Sequence, residues 1–469
     1  MGRRVVVALV AALLALAGAG RASAITKVDR TLTMDDGAQL AATLYTPDAA
    51  PPAQGYPAIV LLHGLGGKRQ DLDPIASQFA EHFVVLSFDA RGHGQSGGLV
   101  SIDGPREVAD TRAVFDWLAN QRNVDRNAIG AWGISLGGGA VLRSLVEGVP
   151  WAAVETVQTW TDLYSALAPQ NLSKSGAIYG FLNSVPQDRL DPSVLALKDD
   201  ALASRNLTAL RQWAAVRSSR ALLSRVHTPV LFFQGRRDFA FDIAQARAGY
   251  RLLQGPKALY IGDFGHSPST FPGPDQAEVL RRSEAWFTQY LAHGPAFPYP
   301  PFALAPDPWR GKARSSRALP ATRTARFAFG GRNTLTGRGK AERTGRALPA
   351  RLETFGSARL HVQARISGGW SRLVAVLSAR TPRGKTIVVS EGGVNTSGLG
   401  GRRRLTIRLI DDATLIPRGS KLILTLAASS LAQDPGNLLY LDLPMPPTAR
   451  ISLGSARLAL PVLRRPVSS

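Results

Sequence analysis

The chemistry in this chain begins at Ile129-Gly130-Ala131-Trp132-Gly133-Ile134-Ser135-Leu136-Gly137-Gly138-Gly139. An apolar run leads into Gly133-Ile134-Ser135-Leu136-Gly137, and a helix-forming run from Ala140 to Glu147 follows at once. A strand, a tight turn with serine at its tip and then a helix together present a hydroxyl for attack. Glycines two residues either side leave room for the turn. The new helix aims its unpaired N–H groups at the negative charge such an attack creates. With 46 glycines in 469 residues, chance gives G-x-S-x-G at about one serine in a hundred. The pattern occurs a second time, at Gly94-Gln95-Ser96-Gly97-Gly98, several residues past the nearest strand. Asp103-Gly104-Pro105 follows it, so no helix opens there, and Ser96 reads as a loop serine.

A serine hydroxyl is a weak nucleophile near neutral pH. It needs a base to take its proton and an acid to orient that base. On a parallel sheet such groups lie just past the carboxyl ends of strands, here in the chain order Ser, Asp, His. The chain has seven histidines. His63, His82 and His93 precede the serine, His227 starts a strand, His293 follows the last helix of the alternating region, and His361 lies in a β-rich tail. His266 sits just past a strand, after Gly265, and is the expected base. Asp238, shortly after the strand ending at Phe233, is the expected acid. Its rival Asp242 lies near the start of a helix, where an N-cap role is the plainer explanation, and Asp263 is assigned to a turn. The oxyanion of a tetrahedral intermediate needs preset donors. The expected ones are the backbone N–H groups of Leu136, after the nucleophile, and of Leu65 in His63-Gly64-Leu65.

The elements that must position these groups alternate. Residues 31–46 read as a hairpin around Asp35-Asp36-Gly37. Apolar runs at Ala58–Leu62, Phe83–Phe88, Ile129–Ile134, Ala152–Val157, Val230–Phe233 and Ala258–Ile261 read as strands buried on both faces. Helical spacing separates them at 72–82, 106–120, 140–147, 243–253 and 277–291. This is an α/β pattern with a mostly parallel sheet. Residues 160–227 break the rhythm and carry Trp160, Tyr164, Tyr179, Phe181 and Trp213. They are expected to form a helical cap inserted over the sheet, with Trp160, Tyr164 and Trp213 shaping a substrate pocket. Residues 294–310 form a proline-rich linker, expected to be neither helix nor sheet. Short alternating runs over 311–469, separated by turns at about ten-residue spacing, predict an all-β sandwich or jelly roll. The catalytic domain is thus expected at 25–293.

Residues 1–24 combine Arg3-Arg4, an apolar run from Val5 to Ala17 and Ala22-Ser23-Ala24. That is the layout of a signal peptide cleaved after Ala24, with an uncleaved anchor as the other reading. The expected location is secreted, or otherwise outside the cytoplasm. The chain has no cysteine, which excludes disulfides and thiolate metal sites, and no residue pattern calls for a metal or organic cofactor. Net charge is +22, and 47 of the 56 basic residues are arginine. Codon bias accounts for this most simply. The sharper reading is association with an anionic cell-surface polymer. The densest basic stretch, 312–351, has no zinc-finger spacing and no nucleic-acid module, so no nucleic-acid partner is expected. The oligomeric state is left open.

Residues 26–292 resemble α/β-hydrolases. His63-Gly64, Arg91-Gly92-His93-Gly94-Gln95-Ser96-Gly97, Gly133–Gly137, Asp238 and Gly265-His266 fall in that family's order. With the proline linker and β-rich tail, the mature chain resembles the X-Pro dipeptidyl-peptidase and cocaine-esterase-like serine hydrolases, whose catalytic domain carries a C-terminal jelly roll. In the tail, 370–390 and 419–424 look like strands of that jelly roll. The resemblance implies a Ser135–Asp238–His266 triad. It also implies hydrolysis, through an acyl-enzyme, of esters or of peptides with proline next to the N-terminus. Two positions depart from the pattern: Leu136 stands where members often have tyrosine, and the 63–65 loop lacks a tyrosine that some members use for the oxyanion. No pair of acidic residues is evident to hold a substrate's free amino group. The expected function is a secreted serine hydrolase acting on a small ester or peptide. The alternative is an inert hydrolase-fold protein that binds anionic wall polymer through its basic C-terminal part.

Overall fold

Runs that are apolar on both faces must be covered on both sides, so they settle edge to edge between layers of helix. The computed structural model describes residues 25–430 and 439–465; the expected leader at 1–24 lies outside the described residues. The chain enters through an antiparallel hairpin, β1 (Ile25–Thr33) and β2 (Gln39–Pro47), with Leu32 opposite Leu40. Next come β3 (Tyr56–Leu62), α1 (Asp73–Phe79), β4 (Val84–Phe88), α2 (Pro105–Ala119), β5 (Val124–Ile134), α3 (Leu136–Val146) and β6 (Ala153–Val157). The cap follows: α4 (Leu163–Leu167), α5 (Ser175–Leu182), α6 (Pro192–Leu202) and α7 (Leu207–Ala215). The alternation then resumes with β7 (Val230–Gly235), α8 (Ile243–Leu252), β8 (Lys257–Gly262) and α9 (Gln276–Tyr290).

The linker region behaves differently from the expectation. Phe302–Leu304, as β9, pairs parallel with β8, and Arg314–Ser316, as β10, returns antiparallel on it. Proline lacks a donor but keeps its carbonyl, and Leu259 N–H donates to Pro301 O at 2.8 Å. The three residues after Pro301 carry free N–H groups, and Ala305 N–H closes the ladder on Ile261 O at 2.7 Å. The sheet therefore runs β1-β2-β4-β3-β5-β6-β7-β8-β9-β10. Its parallel centre places the carboxyl ends of β5, β7 and β8 along one rim.

Beyond the sheet lie β11 (Thr322–Phe329), β12 (Asn333–Thr336), β13 (Ala341–Ala347), β14 (Leu352–Glu353), β15 (Gly356–Ser367), β16 (Arg372–Arg380), β17 (Thr386–Asn395), β18 (Gly401–Asp412), β19 (Leu415–Ile416), β20 (Lys421–Ala427) and β21 (Arg450–Leu463). One sheet is ordered β11-β21-β15-β18, with β12 also on β21, and the facing sheet is ordered β13-β20-β16-β17. Strand β15 alternates buried Ala358, Leu360, Val362, Ala364 and Ile366 with outward Arg359, His361 and Arg365, as a sheet covered on one face requires.

The two parts meet through buried charge. Arg236, 2% exposed, donates from Nε to Ala413 O at 2.8 Å, from Nη1 to Ala305 O and from Nη2 to Glu353 Oε1 at 2.7 Å. Arg314 also pairs with Glu353. Nearby, Asp411 pairs with Arg247 at 2.6 Å, while Asp412 accepts from the Thr354 and Thr414 hydroxyls at 3.0 and 2.7 Å. Burial pushes both of these carboxyls up to about 7, against the lowering effect of Arg247 on one and of the hydroxyls on the other. The unfolded chain releases these protons near pH 4, so between about pH 4 and pH 7 the folded state holds more of them and stability falls as pH rises. In urea unfolding across that window, Asp412→Asn is expected to flatten the decline of the midpoint; an unchanged slope would rule this site out as its source.

Candidate active site

Ser135 occupies the junction between β5 and α3 with φ 54° and ψ −113°, a conformation that costs a non-glycine residue about 1–3 kcal/mol. Neighbouring strands hold it there. Its N–H donates to Val157 O at 2.9 Å, and its carbonyl accepts from Gly139 N–H at 3.0 Å and from the Thr159 hydroxyl at 2.7 Å. The flanking glycines are steric necessities: a Cβ on Gly133 would lie 2.2 Å from Gly137 O, and one on Gly137 would lie 2.1 Å from Leu62 O. Both obstacles are backbone atoms, which no rotamer change can move.

Three distant side chains converge at this turn. Ser135 Oγ lies 3.0 Å from His266 Nε2, and His266 Nδ1 lies 2.8 Å from Asp238 Oδ2. With Nδ1 donating to the carboxylate, Nε2 is left as the acceptor for the serine proton. The Asp238 carboxylate is fully buried and fully engaged. Oδ2 also accepts His266 N–H at 3.1 Å, and Oδ1 accepts Ala240 N–H at 3.0 Å and Phe241 N–H at 2.9 Å. Gly265, at φ 146°, brings the β8 loop against this carboxylate, since a Cβ there would meet Asp238 Cβ at 3.0 Å. The imidazole is walled by aromatic edges, with Phe241 at 5.2 Å and Phe181 of the cap at 5.7 Å between ring centres.

Leu136 is the first residue of α3, so its N–H has no intrahelical acceptor. The loop carrying Leu65 abuts the serine: a Cβ on Gly64 would sit 3.5 Å from Ser135 Cβ, and His63 O accepts Gly137 N–H at 3.0 Å. His63 braces this loop from below. Nδ1 donates to Gly64 O at 2.8 Å, Nε2 accepts Ala90 N–H at 2.9 Å, and burial holds its pKa below the ordinary value. The other residues weighed from sequence have structural partners. The Ser96 hydroxyl donates to Asp89 O at 2.6 Å, Asp242 caps α8 through Ala244 N–H at 3.1 Å, and Asp263 accepts Trp309 N–H at 3.0 Å. Arg91 grips Asp110 through two bonds of 2.7 Å.

A cavity of about 680 Å³ opens from Ser135 between the sheet rim and the cap. Leu65, Leu136, Trp160, Trp213, Phe181 and Phe241 are among its walls. Tyr164, expected in the pocket, is instead engaged at its outer side. Its hydroxyl donates to Asn171 Oδ1 at 2.8 Å, and the Arg211 guanidinium lies 4.5 Å from its ring centre. Tyr164 faces this cation because it is only partly buried at the start of α4, while Leu163 and Leu167 of the same helix turn inward. Among the described residues, no group of three or more His, Asp or Glu side chains converges as a metal site.

Two features escaped the sequence reading. Phe241 lies only three residues past Asp238, so proximity to a candidate acid was its signal. Lys174 offered none: a lone lysine between serines is normally solvated. Here it is 1% exposed and donates to Phe239 O at 2.8 Å and Ala240 O at 2.9 Å, tying the cap to the loop that carries Asp238. Burial pulls its ammonium below the ordinary value, opposed by Asp242, Asp238 and Glu391.

The X-Pro dipeptidyl-peptidase (S15 family) model matches residues 36–268. Among solved structures, a CocE/NonD family hydrolase from Staphylococcus aureus superposes with TM-score 0.73 at 16% identity, covering 94% of both chains. An alpha-amino acid ester hydrolase superposes with TM-score 0.66 at 15% identity, covering 96% of this chain and 98% of that one. At these identities the likeness is one of fold, and it takes in both the α/β sheet and the β-sandwich. The uncharacterized protein YcjY of Escherichia coli K12 is 34% identical over 135 residues, which are 28% of this chain and 44% of that protein. The matched stretches span from a third to about three quarters of the curated relatives' length, and under a half of YcjY.

Replacing Lys174 with methionine keeps most of the side-chain volume but removes the donor shared by two carbonyls. Each buried group left unsatisfied costs about 1–3 kcal/mol. Lys174→Met is therefore expected to lower the free energy of unfolding by an amount in that range, and a stability equal to that of the parent in urea unfolding would show that the lysine is not structural.

Proposed function

From its membership of the X-Pro dipeptidyl-peptidase (S15) and CocE-like family of α/β-hydrolases, we propose that this hydrolase is a serine esterase working through Ser135, His266 and Asp238. The observation that carries the reading is the unbroken Ser135–His266–Asp238 hydrogen-bond chain at the mouth of the cavity. His266 Nε2 takes the Ser135 proton as Oγ attacks the ester carbonyl carbon, and Asp238 holds the resulting imidazolium. The carbonyl oxygen becomes an oxyanion held by the Leu136 and Leu65 N–H groups. Collapse of the intermediate breaks the ester C–O bond, and His266 returns the proton to the leaving alkoxide. Water then attacks the acyl-enzyme by the same route and releases the acid and free Ser135. Two features favour esters over dipeptides. Among the described residues that line the cavity, none carries a carboxylate to pair with a substrate ammonium, and the charged one is Lys198, itself a cation.

A fluorophosphonate probe is expected to label Ser135, and Ser135→Ala to abolish both labelling and turnover of short p-nitrophenyl esters. Asp238→Asn keeps the geometry but sets the wrong imidazole tautomer, so kcat is expected to drop by about 10⁴. Labelling at another residue, or an active Ser135→Ala variant, would refute the assignment.

The reading includes export, on the charged, apolar and Ala22-Ser23-Ala24 pattern of the first residues. Protein recovered from the medium of an expressing culture should begin at Ile25. Recovery only from the cytoplasm with Met1 intact would contradict it.

A further inference from the structure

We infer that the acyl half of the substrate is a linear aliphatic chain, lodged between Ser135 and the cap helices; the inference rests on the esterase reading and names its substrate class. The catalytic hydroxyl opens directly into the cavity, and the acyl group stays bonded to that oxygen after the alcohol has left, so the acyl chain is the half that needs the walls through both stages of the reaction. Those walls are Leu167 of α4, Ile178 of α5, Val194 and Ala201 of α6 and Leu210 of α7, closed towards the serine by Phe181 and Phe241. Among the lining side chains, the polar groups are the hydroxyl of Ser135, the ammonium of Lys198 and the indole N–H groups of Trp160 and Trp213, of which that of Trp160 is spent on Arg217 O. Lys198 spends its ammonium on Gln187 Oε1 at 2.9 Å, so it offers the cavity its methylene stem.

This lining discriminates in a definite direction. A dipeptidyl acyl group would bring an ammonium into walls whose described residues carry no carboxylate. Each polar group left unpaired there lowers kcat/KM by about 5- to 150-fold. A methylene chain loses nothing and gains about fourfold for each carbon buried.

The test is a p-nitrophenyl ester series on the full chain, running from acetate through butyrate and octanoate to dodecanoate, with Ala-Pro-p-nitroanilide alongside. The expected result is a rise in kcat/KM of about fourfold per methylene that levels off once the cavity is full, with the dipeptide turned over at least a hundredfold more slowly than octanoate. Ala201→Trp, which fills the cavity from α6, should cut octanoate turnover relative to butyrate by tenfold or more. Ser135 labelling with a flat or falling chain-length profile, or a preference for the dipeptide, would overturn the acyl-chain inference and leave the esterase reading standing. Absence of both labelling and ester turnover would overturn the two together.

Discussion

One strained backbone position organises this molecule. Ser135 must hold a left-handed φ at the rim of a parallel sheet, and the surrounding structure supplies what makes that tolerable. Strand β6 accepts its N–H, Thr159 bonds its carbonyl, and the first turn of α3 closes over glycines whose hydrogens touch the backbone of β3 and of the helix itself. Three strands and a helix thus depend on one turn. Because the obstacles around Gly133 and Gly137 are main-chain atoms, the sites admit no side chain, whatever its chemistry.

The second organising feature is the loop after β7. Asp238 is held by three backbone N–H groups and the imidazole, yet the loop itself is steadied from outside the sheet. Lys174 reaches it from the cap, and Arg237 donates to Val388 O of the sandwich at 2.8 Å. Phe239 packs into a cluster with Leu172 and with Val374, Val376 and Ile410 of the sandwich. Arg236, immediately upstream, joins the linker strand, the sheet and Glu353. Losing one partner of such a buried pair typically costs about 3–5 kcal/mol. The β-sandwich is therefore part of the scaffold under the carboxylate, and some of the chain's arginine excess is consumed internally at this seam.

The cap completes the arrangement by covering the hydroxyl with apolar side chains. Trp160 is locked by its indole N–H on Arg217 O at 2.8 Å, and Trp213 by the Arg217 guanidinium 4.0 Å from its ring centre. One buried arginine thus fixes two walls of the cavity.

The sequence alone determined the strand–helix alternation, the tight turn at Ser135 and the placing of Asp238 and His266 just past strands. These follow from local rules: apolar periodicity, glycine at forbidden backbone angles and the chain order of a parallel sheet. It could not determine that Phe302–Leu304 extends the sheet, because pairing there depends on a partner strand some forty residues earlier rather than on the prolines nearby. Nor could it bury Lys174 against the loop of Asp238 or keep Tyr164 out of the cavity lining, since both lie in a cap whose helices have no sheet register to orient them. Which face of a short helix turns inward is decided by what it packs against. The outline of the site was therefore legible in residue order, while its walls and supports were settled only when cap, sheet and sandwich closed on one another.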